Sequence, residues 1–393
     1  MSIKKSLLRL LNWITPKDEK MILFSSNPDF SDNSEAVFNT MRKDCRFSDY
    51  KFVWITRSSS LSKYKGTKCY KVYSPMSFWA YFRAKYVFTT HGIYDGIGCK
   101  SQINIGLWHG MPLKSLGSYS ANSETFLKLT KYEKRDFTYM IATSPLYQQI
   151  MAKCFNMHEE KIIVSGQPRN DELMQNNDSL EKLSIPVRRK TICWLPTYRD
   201  PTKVNKAHLV YNQGKHYDNG IPLISEENLK ELNEFLKTLS INLVVKIHGS
   251  QKFDRSKIPV TENIFFITNE NLSKSGVQLY EMLACSDALI TDYSSVYIDY
   301  MATDKPMAFV IDDIDEYGTD RGFVFENPLD YMPGMKVKDQ ISLKSFIKSV
   351  SEDRDEYKDS RKIVRPKLNI FTDDKNTQRV IDFVFGCDMS GKR

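Results

Sequence analysis

Short apolar runs alternate with helical patterns along most of the chain. Met21–Ser25, Lys51–Thr56, Tyr86–Thr90, Ile103–Trp108, Tyr139–Thr143 and Lys161–Val164 are rich in Val, Ile and aromatic residues and read as buried strands. A second series follows the polar stretch Asn176-Asn177-Asp178-Ser179: Thr191–Leu195, Asn242–Lys246, Ile264–Ile267, Ala288–Ile290 and Met307–Ile311. Strands separated by helix-length intervals imply parallel sheets with helical crossovers, so the expected class is α/β with two Rossmann-like halves and a cleft between them. The boundary is expected near residues 170–190.

A length of 393 residues suits two domains, each large enough to bury its own apolar interior. Lys and Arg number 56 against 48 acidic residues, leaving a net charge of +8. That excess suits an acidic surface or a phosphate-rich substrate. No basic-aromatic run on a recognisable nucleic-acid module accompanies it, so nucleic acid is not an expected partner. Seven cysteines (Cys45, Cys69, Cys99, Cys154, Cys193, Cys285, Cys387) stand singly, without metal-ligand or redox spacing, which indicates reduced thiols in a cytosolic compartment. No apolar span is long enough for a transmembrane helix, and no cleavable signal is evident.

Two constellations carry chemistry. The apolar run Ala288-Leu289-Ile290 leads into Thr291-Asp292-Tyr293-Ser294-Ser295 and then into a helical pattern, which places hydroxyls and free backbone N–H groups at a helix N-terminus, a cradle for phosphate or an ordinary capped helix. The strand Ile103–Trp108 delivers His109-Gly110-Met111-Pro112-Leu113-Lys114 at its carboxyl end, where open α/β sheets bind ligands. Histidine exchanges protons near neutral pH, Gly110 permits close backbone approach, and Lys114 offers a mobile positive charge.

With these residues in view the chain resembles the CDP-glycerol:glycerophosphotransferase family of teichoic-acid and capsule enzymes. The matching blocks are His109–Lys114, Ser165-Gly166-Gln167-Pro168-Arg169-Asn170-Asp171, Leu195-Pro196-Thr197-Tyr198-Arg199-Asp200, Lys246-Ile247-His248, Thr291–Ser295, and Arg321-Gly322-Phe323 with Met332-Pro333-Gly334. The chain departs from the pattern at Gly249, where proline is expected, and at Met111, where threonine is commoner; neither removes a group that does chemistry.

The resemblance implies a GT-B-like fold and transfer of a polyol phosphate, most simply glycerol phosphate, from a CDP-activated donor to a membrane-anchored acceptor with release of CMP. His109 is the candidate base, by its chemistry and by its match to the family's proposed catalytic histidine. His248, at the end of the strand Leu243–Ile247, is assigned to the donor diphosphate or leaving group. Thr291, Ser294 and Ser295 are expected to hydrogen-bond donor phosphates, with Asp292 orienting them or capping the helix. Lys114 and Arg321 add positive charge. Arg169 and Arg199 either bind phosphate or lock the domain interface, and His91, after the strand Tyr86–Thr90, is a candidate for the acceptor side.

The expected division is residues 1–18 as a basic amphipathic helix at an anionic membrane surface, 19–175 as the acceptor-side domain, 176–372 as the CDP-polyol-binding domain, and 373–393 as a terminal helix crossing back to the first domain. This places the protein peripherally, on the cytoplasmic face of the cell membrane. No cofactor is indicated; the Asp313–Asp315 D-x-D spacing permits a divalent metal without requiring one. Residues 200–220 are a long polar stretch, either a lid or a surface insertion. CDP-glycerol against CDP-ribitol as donor, and a lipid-linked saccharide against a growing polyol-phosphate chain as acceptor, stay open. A nucleotide-sugar glycosyltransferase and an inert membrane-associated binding protein are the competing readings; retention of His109, Lys114, His248 and Ser294 argues against the latter.

Overall fold

The computed structural model describes residues 3–58, 63–119, 137–197, 217, 221–249, 251 and 259–386. The chain divides into two compact units: Met1–Met111 with Gly117–Asp171 and Asp373–Arg393, and Pro112–Leu116 with Glu172–Thr372. Each is a parallel sheet with helical crossovers.

In the first unit β1 (Asp18–Ser25), β2 (Lys51–Thr56), β3 (Lys68–Lys71), β4 (Ala84–Thr89), β5 (Ile103–Gly106), β6 (Tyr139–Ala142) and β7 (Ile162–Val164) lie in the order β3-β2-β1-β4-β5-β6-β7. Every adjacent pair is parallel. The order reverses between β1 and β4, so the segments leaving the carboxyl ends of β1, β4 and β5 meet at a topological switch point. β3 escapes the apolar pattern because Lys68-Cys69-Tyr70-Lys71 is an edge strand with lysines at both ends, the composition that protects an open edge.

The core of this unit is aromatic. Phe24 stacks on Trp54 and Phe88 at centroid distances of 5.6 Å each, and Val37, Phe38 and Met41 of α2 (Asp32–Lys43) close over them. Asp32 and Glu35 in the first turn of α2 and Arg42 and Lys43 in the last complement the helix dipole. The terminal helix Asn376–Phe385 buries Val380, Ile381 and Val384 in the same cluster. Its first N–H groups are satisfied by Asp171, whose carboxylate accepts from Asn376 N and Thr377 N at 2.9 Å each.

The N-terminal helix α1 (Ile3–Ile14) belongs to this unit as well. Leu8 packs against the cluster around Tyr81 and Val87, and the buried Asn12 amide donates to Ile97 O and Gln102 Oε1, both at 2.8 Å.

In the second unit β8 (Lys190–Leu195), β9 (Ile241–Lys246), β10 (Ile264–Ile267), β11 (Ala288–Thr291), β12 (Met307–Val310) and β13 (Met335–Val337) lie in the order β10-β9-β8-β11-β12-β13, again all parallel. Its switch point falls between β8 and β11. Leu229, Leu232 and Leu236, on one face of the helix Glu226–Thr238, pack on Trp194, Leu243 and Val245.

Pro112–Leu116, which sequence reasoning leaves in the N-terminal half, folds with this second unit. Its backbone is paired there: Ser115 N donates to Gly322 O, and Val324 N to Leu113 O, both at 2.9 Å, forming an antiparallel bridge between Lys114 and Phe323. Gly322 has φ +72°, and a Cβ at that position would meet Ser115 Oγ at 2.7 Å, so the pairing needs glycine there.

Candidate active site

In the first unit the carboxyl ends of β1, β4, β5 and β7 converge on His109. Its ring Nδ1 lies 3.2 Å from Thr90 O, just past β4. His91, the next residue, stacks on it with centroids 4.1 Å apart and planes 5° from parallel. Trp108 is 4.2 Å away and tilted. Arg169, beyond β7, donates from Nη2 to His109 O at 3.2 Å and from Nη1 to Asp32 Oδ1 at 2.8 Å.

Beneath these groups sits Asn33, fully buried. Its Nδ2 lies 3.1 Å from Leu107 O, 3.0 Å from Trp108 O and 3.1 Å from Gln167 Oε1, while its Oδ1 accepts from Arg169 N at 3.0 Å. This amide holds an unfavourable backbone: Trp108 has φ 50°, in the left-handed region that bulky residues avoid, and Gly110 follows with φ 138°. Two such residues turn the chain sharply around His109.

The tautomer of His109 is determined by its partner. A carbonyl oxygen only accepts, so His109 Nδ1 carries the hydrogen and Nε2 presents its lone pair. Burial holds the His109 imidazole below its ordinary pKa, with Asp32 pulling the other way. Burial and the neighbouring His109 push His91 down to about 3. Both rings are neutral at physiological pH. A neutral imidazole with a free Nε2 is a proton acceptor.

In the second unit the switch point is closed by a buried network. Asp292 accepts from Thr197 N at 2.9 Å and from the Thr197 hydroxyl, and Thr291 donates its hydroxyl to Leu195 O at 2.8 Å. Lys114 Nζ stands 3.5 Å from Thr197 Oγ1 and 5.8 Å from the centre of the Tyr317 ring, which stacks on Tyr293 at 4.3 Å. Ser294 and Ser295, half-buried, precede the short helix Val296–Tyr300. His248 is exposed just beyond β9. The preceding Lys246 is buried, donating to Ile247 O at 2.8 Å and Asn269 Oδ1 at 2.7 Å, and burial lowers its pKa to about 8. Lys114, His248, Ser294 and Ser295 thus supply a positive charge, an imidazole and two hydroxyls from one unit.

The sequence model of CDP-glycerol:poly(glycerophosphate) glycerophosphotransferases matches residues 7–386. The chain belongs to this family. It is 26% identical over 295 residues to the teichoic acid glycerol-phosphate transferase of Staphylococcus aureus (strain NCTC 8325 / PS 47), covering 71% of this chain and 70% of that protein. It is 27% identical over 334 residues to the teichoic acid poly(glycerol phosphate) polymerase of Bacillus spizizenii (strain ATCC 23059 / NRRL B-14472 / W23), covering 80% of this chain and 79% of the polymerase. A solved variant of the wall teichoic acid polymerase TagF superposes with a TM-score of 0.78 at 23% identity, covering 97% of this chain and 92% of that one. The fold class is α/β, GT-B-like.

Within this glycerophosphotransferase, the structure separates the residues singled out from sequence. It brings His91, His109, Gly110 and Arg169 together in the first unit. Thr291 and Asp292, read from sequence as donor-phosphate candidates, are fully buried: the Thr291 hydroxyl donates to Leu195 O, and Asp292 accepts from Thr197 N. Arg321 is half-buried after the helix Ile314–Asp320. Arg199 lies outside the described residues, as do residues 200–220 apart from Tyr217, whose hydroxyl donates to the Asp312 carboxylate at 2.8 Å. Asp313 of the D-x-D element is buried and accepts from Tyr293 at 2.9 Å, and among the described residues no group of three His, Cys, Asp or Glu is placed to hold a metal ion. Sequence reasoning missed Asp32, Asn33, Thr90 and Thr197. Thr197 lay inside a matched block and Asp32 opens an amphipathic helix, but neither was marked as a site residue.

Proposed function

We propose that the chain transfers the glycerol-phosphate unit of CDP-glycerol to a hydroxyl of a lipid-linked acceptor in wall-polymer synthesis, releasing CMP. The acceptor oxygen attacks the glycerol-bearing phosphorus, the bond from that phosphorus to the bridging oxygen breaks, and the electron pair leaves on CMP. His109 Nε2 takes the hydroxyl proton. The observation that carries this reading is the tautomer lock: the Nδ1–H bond to Thr90 O leaves the outer nitrogen of a neutral imidazole as the acceptor. Lys114, His248, Arg321, Ser294 and Ser295 are assigned to the donor diphosphate, where positive charge and hydroxyl donors offset the charge that moves to the leaving phosphate.

The membrane-anchored acceptor is supported by α1. While Leu8 and Asn12 face the protein, Leu7, Leu10, Leu11 and Ile14 form an i, i+3, i+4, i+7 stripe that is 56%, 50%, 39% and 58% exposed, with Trp13 beside it at 67%. α1 packs on α3 (Pro75–Arg83), whose Met76 and Trp79 are about equally exposed. An outward apolar stripe flanked by Lys4 and Lys5 fits the interfacial region of an anionic bilayer. No helix among the described residues is long and apolar enough to cross a membrane.

Mass spectrometry of products formed from CDP-glycerol and a synthetic lipid-linked disaccharide tests the reading, with CMP release as the rate. His109→Ala is expected to abolish turnover and leave CDP-glycerol binding by calorimetry intact. Turnover at the wild-type rate in that variant removes the base assignment, and a product without glycerol phosphate removes the reaction.

A further inference from the structure

His91 makes no contact that the transfer itself demands, yet it lies flat against the proposed base. The ring planes are 5° from parallel at 4.1 Å, and both rings are tied to one residue: Thr90 takes the His109 Nδ1 hydrogen on its carbonyl and bonds His91 Nδ1 with its hydroxyl at 2.8 Å. One threonine therefore fixes both ring orientations.

We propose that His91 is a positioning residue, a π platform that fixes the plane of His109 and stabilises the imidazolium formed when His109 takes the acceptor's proton. This rests on the assignment of His109 as the base. The cation created by proton abstraction is delocalised over the ring, and a neutral aromatic face stacked beneath it is attracted electrostatically without competing for Nε2. A second charge in the pair is excluded, because two cationic rings at 4.1 Å repel strongly in a partly buried site. The charged groups around the pair divide: Asp32 favours a positive charge here, while Arg57 and Arg169 oppose it. With two guanidinium groups opposing, the pair accommodates a single proton on His109, which later passes to solvent or to the released CMP phosphate.

Replacement of the ring separates the platform from a hydrogen-bonding role. His91→Phe keeps a flat π face and loses both nitrogens; His91→Ala loses everything. Turnover of His91→Phe within about threefold of wild type, with His91→Ala down at least about tenfold in kcat and unchanged in KM for CDP-glycerol, is the expected result. Equal impairment of both variants shows that an imidazole nitrogen is needed and overturns the platform, as does wild-type turnover in His91→Ala.

A measurement on the unmodified protein stands apart from any effect on folding. Nitrogen-15 NMR of labelled histidines is expected to show His91 neutral from about pH 5 to pH 8 and His109 as the Nδ1–H tautomer. Titration of His91 within that range overturns the inference. His109→Ala, assayed alongside, distinguishes the two claims: inactive His109→Ala with equally impaired His91 variants refutes the platform alone, and active His109→Ala refutes the base on which it rests.

Discussion

Asn33 is the residue whose replacement tests the architecture of the site most directly. It is fully buried, and its amide joins four groups from two segments: Leu107 O and Trp108 O after β5, Gln167 Oε1 and Arg169 N after β7, at 3.0–3.1 Å. Asn33→Asp keeps the shape and the bond from Arg169 N but turns the donor end into an acceptor facing three oxygens. The two amide hydrogens are shared among these three oxygens, so two bonds at a net of about 1 kcal/mol each are lost and destabilisation of roughly 2 kcal/mol is expected, with a fall in melting temperature of roughly 6 °C for a unit of this size. The buried carboxyl escapes part of this by protonating, which restores one donor and raises its folded pKa above the unfolded value near 3.9. The variant is therefore least destabilised in acid and loses stability as pH rises through that raised pKa. Trp108 is then free to leave its left-handed conformation, moving His109, and a displacement of about 1 Å costs on the order of a hundredfold in rate. Urea unfolding at about pH 5 and pH 8, with CMP release at the higher pH, measures both effects. A variant within about 1 kcal/mol of wild type at both pH values and fully active would refute the clamp.

Two further perturbations address the second unit and the surface. Lys246 has a folded pKa of about 8 against an unfolded 10.5, so the unit carries a cost below pH 8 that is relieved as pH rises from about 8 to 10.5; the wild type should gain roughly 3 kcal/mol over that window relative to Lys246→Met, read as the difference between their urea midpoints, and parallel pH profiles would contradict it. Changing the half-exposed Leu10 together with Trp13 to Asp should remove about 1 kcal/mol of interfacial burial per side chain, weakening binding to anionic vesicles roughly thirtyfold while leaving the melting temperature and activity on a soluble acceptor unchanged; undiminished sedimentation with vesicles would place the membrane contact elsewhere.

Much of the fold was legible because both sheets are parallel and covered on both faces, so the strands are nearly continuous apolar runs. Lys51–Thr56 and Ile264–Ile267 coincide with the runs seen in the sequence. The two strands that were not seen, Lys68–Lys71 and Met335–Val337, are sheet edges, where half the apolar requirement lapses. The placement of Pro112–Leu116 was illegible for a different reason. Its residues are ordinary in composition, and its membership of the second unit is set by backbone pairing with Gly322–Val324, more than two hundred residues on.

The site divides along the same line. Candidate chemistry announces itself by type: a histidine followed by glycine at the end of an apolar strand is visible because few other residues exchange a proton near neutral pH. Groups that hold such a histidine in place have no such signature. Asn33 lies 74 residues from Leu107 and 134 from Gln167, and in the sequence it is one polar residue in the first turn of an amphipathic helix, where asparagine is common. The bonding of Thr291 and Asp292 was hidden for the same reason. Hydroxyl and carboxylate at a strand end can face a ligand or the neighbouring strand, and the choice depends on Leu195 and Thr197, nearly a hundred residues earlier. In a parallel sheet adjacent strands are far apart in sequence, so hydrogen bonds between their carboxyl ends are non-local by construction. Locally written chemistry can therefore be read from a motif, whereas the tautomer and ring plane of His109 become readable only when Thr90, His91 and Asn33 are placed around it.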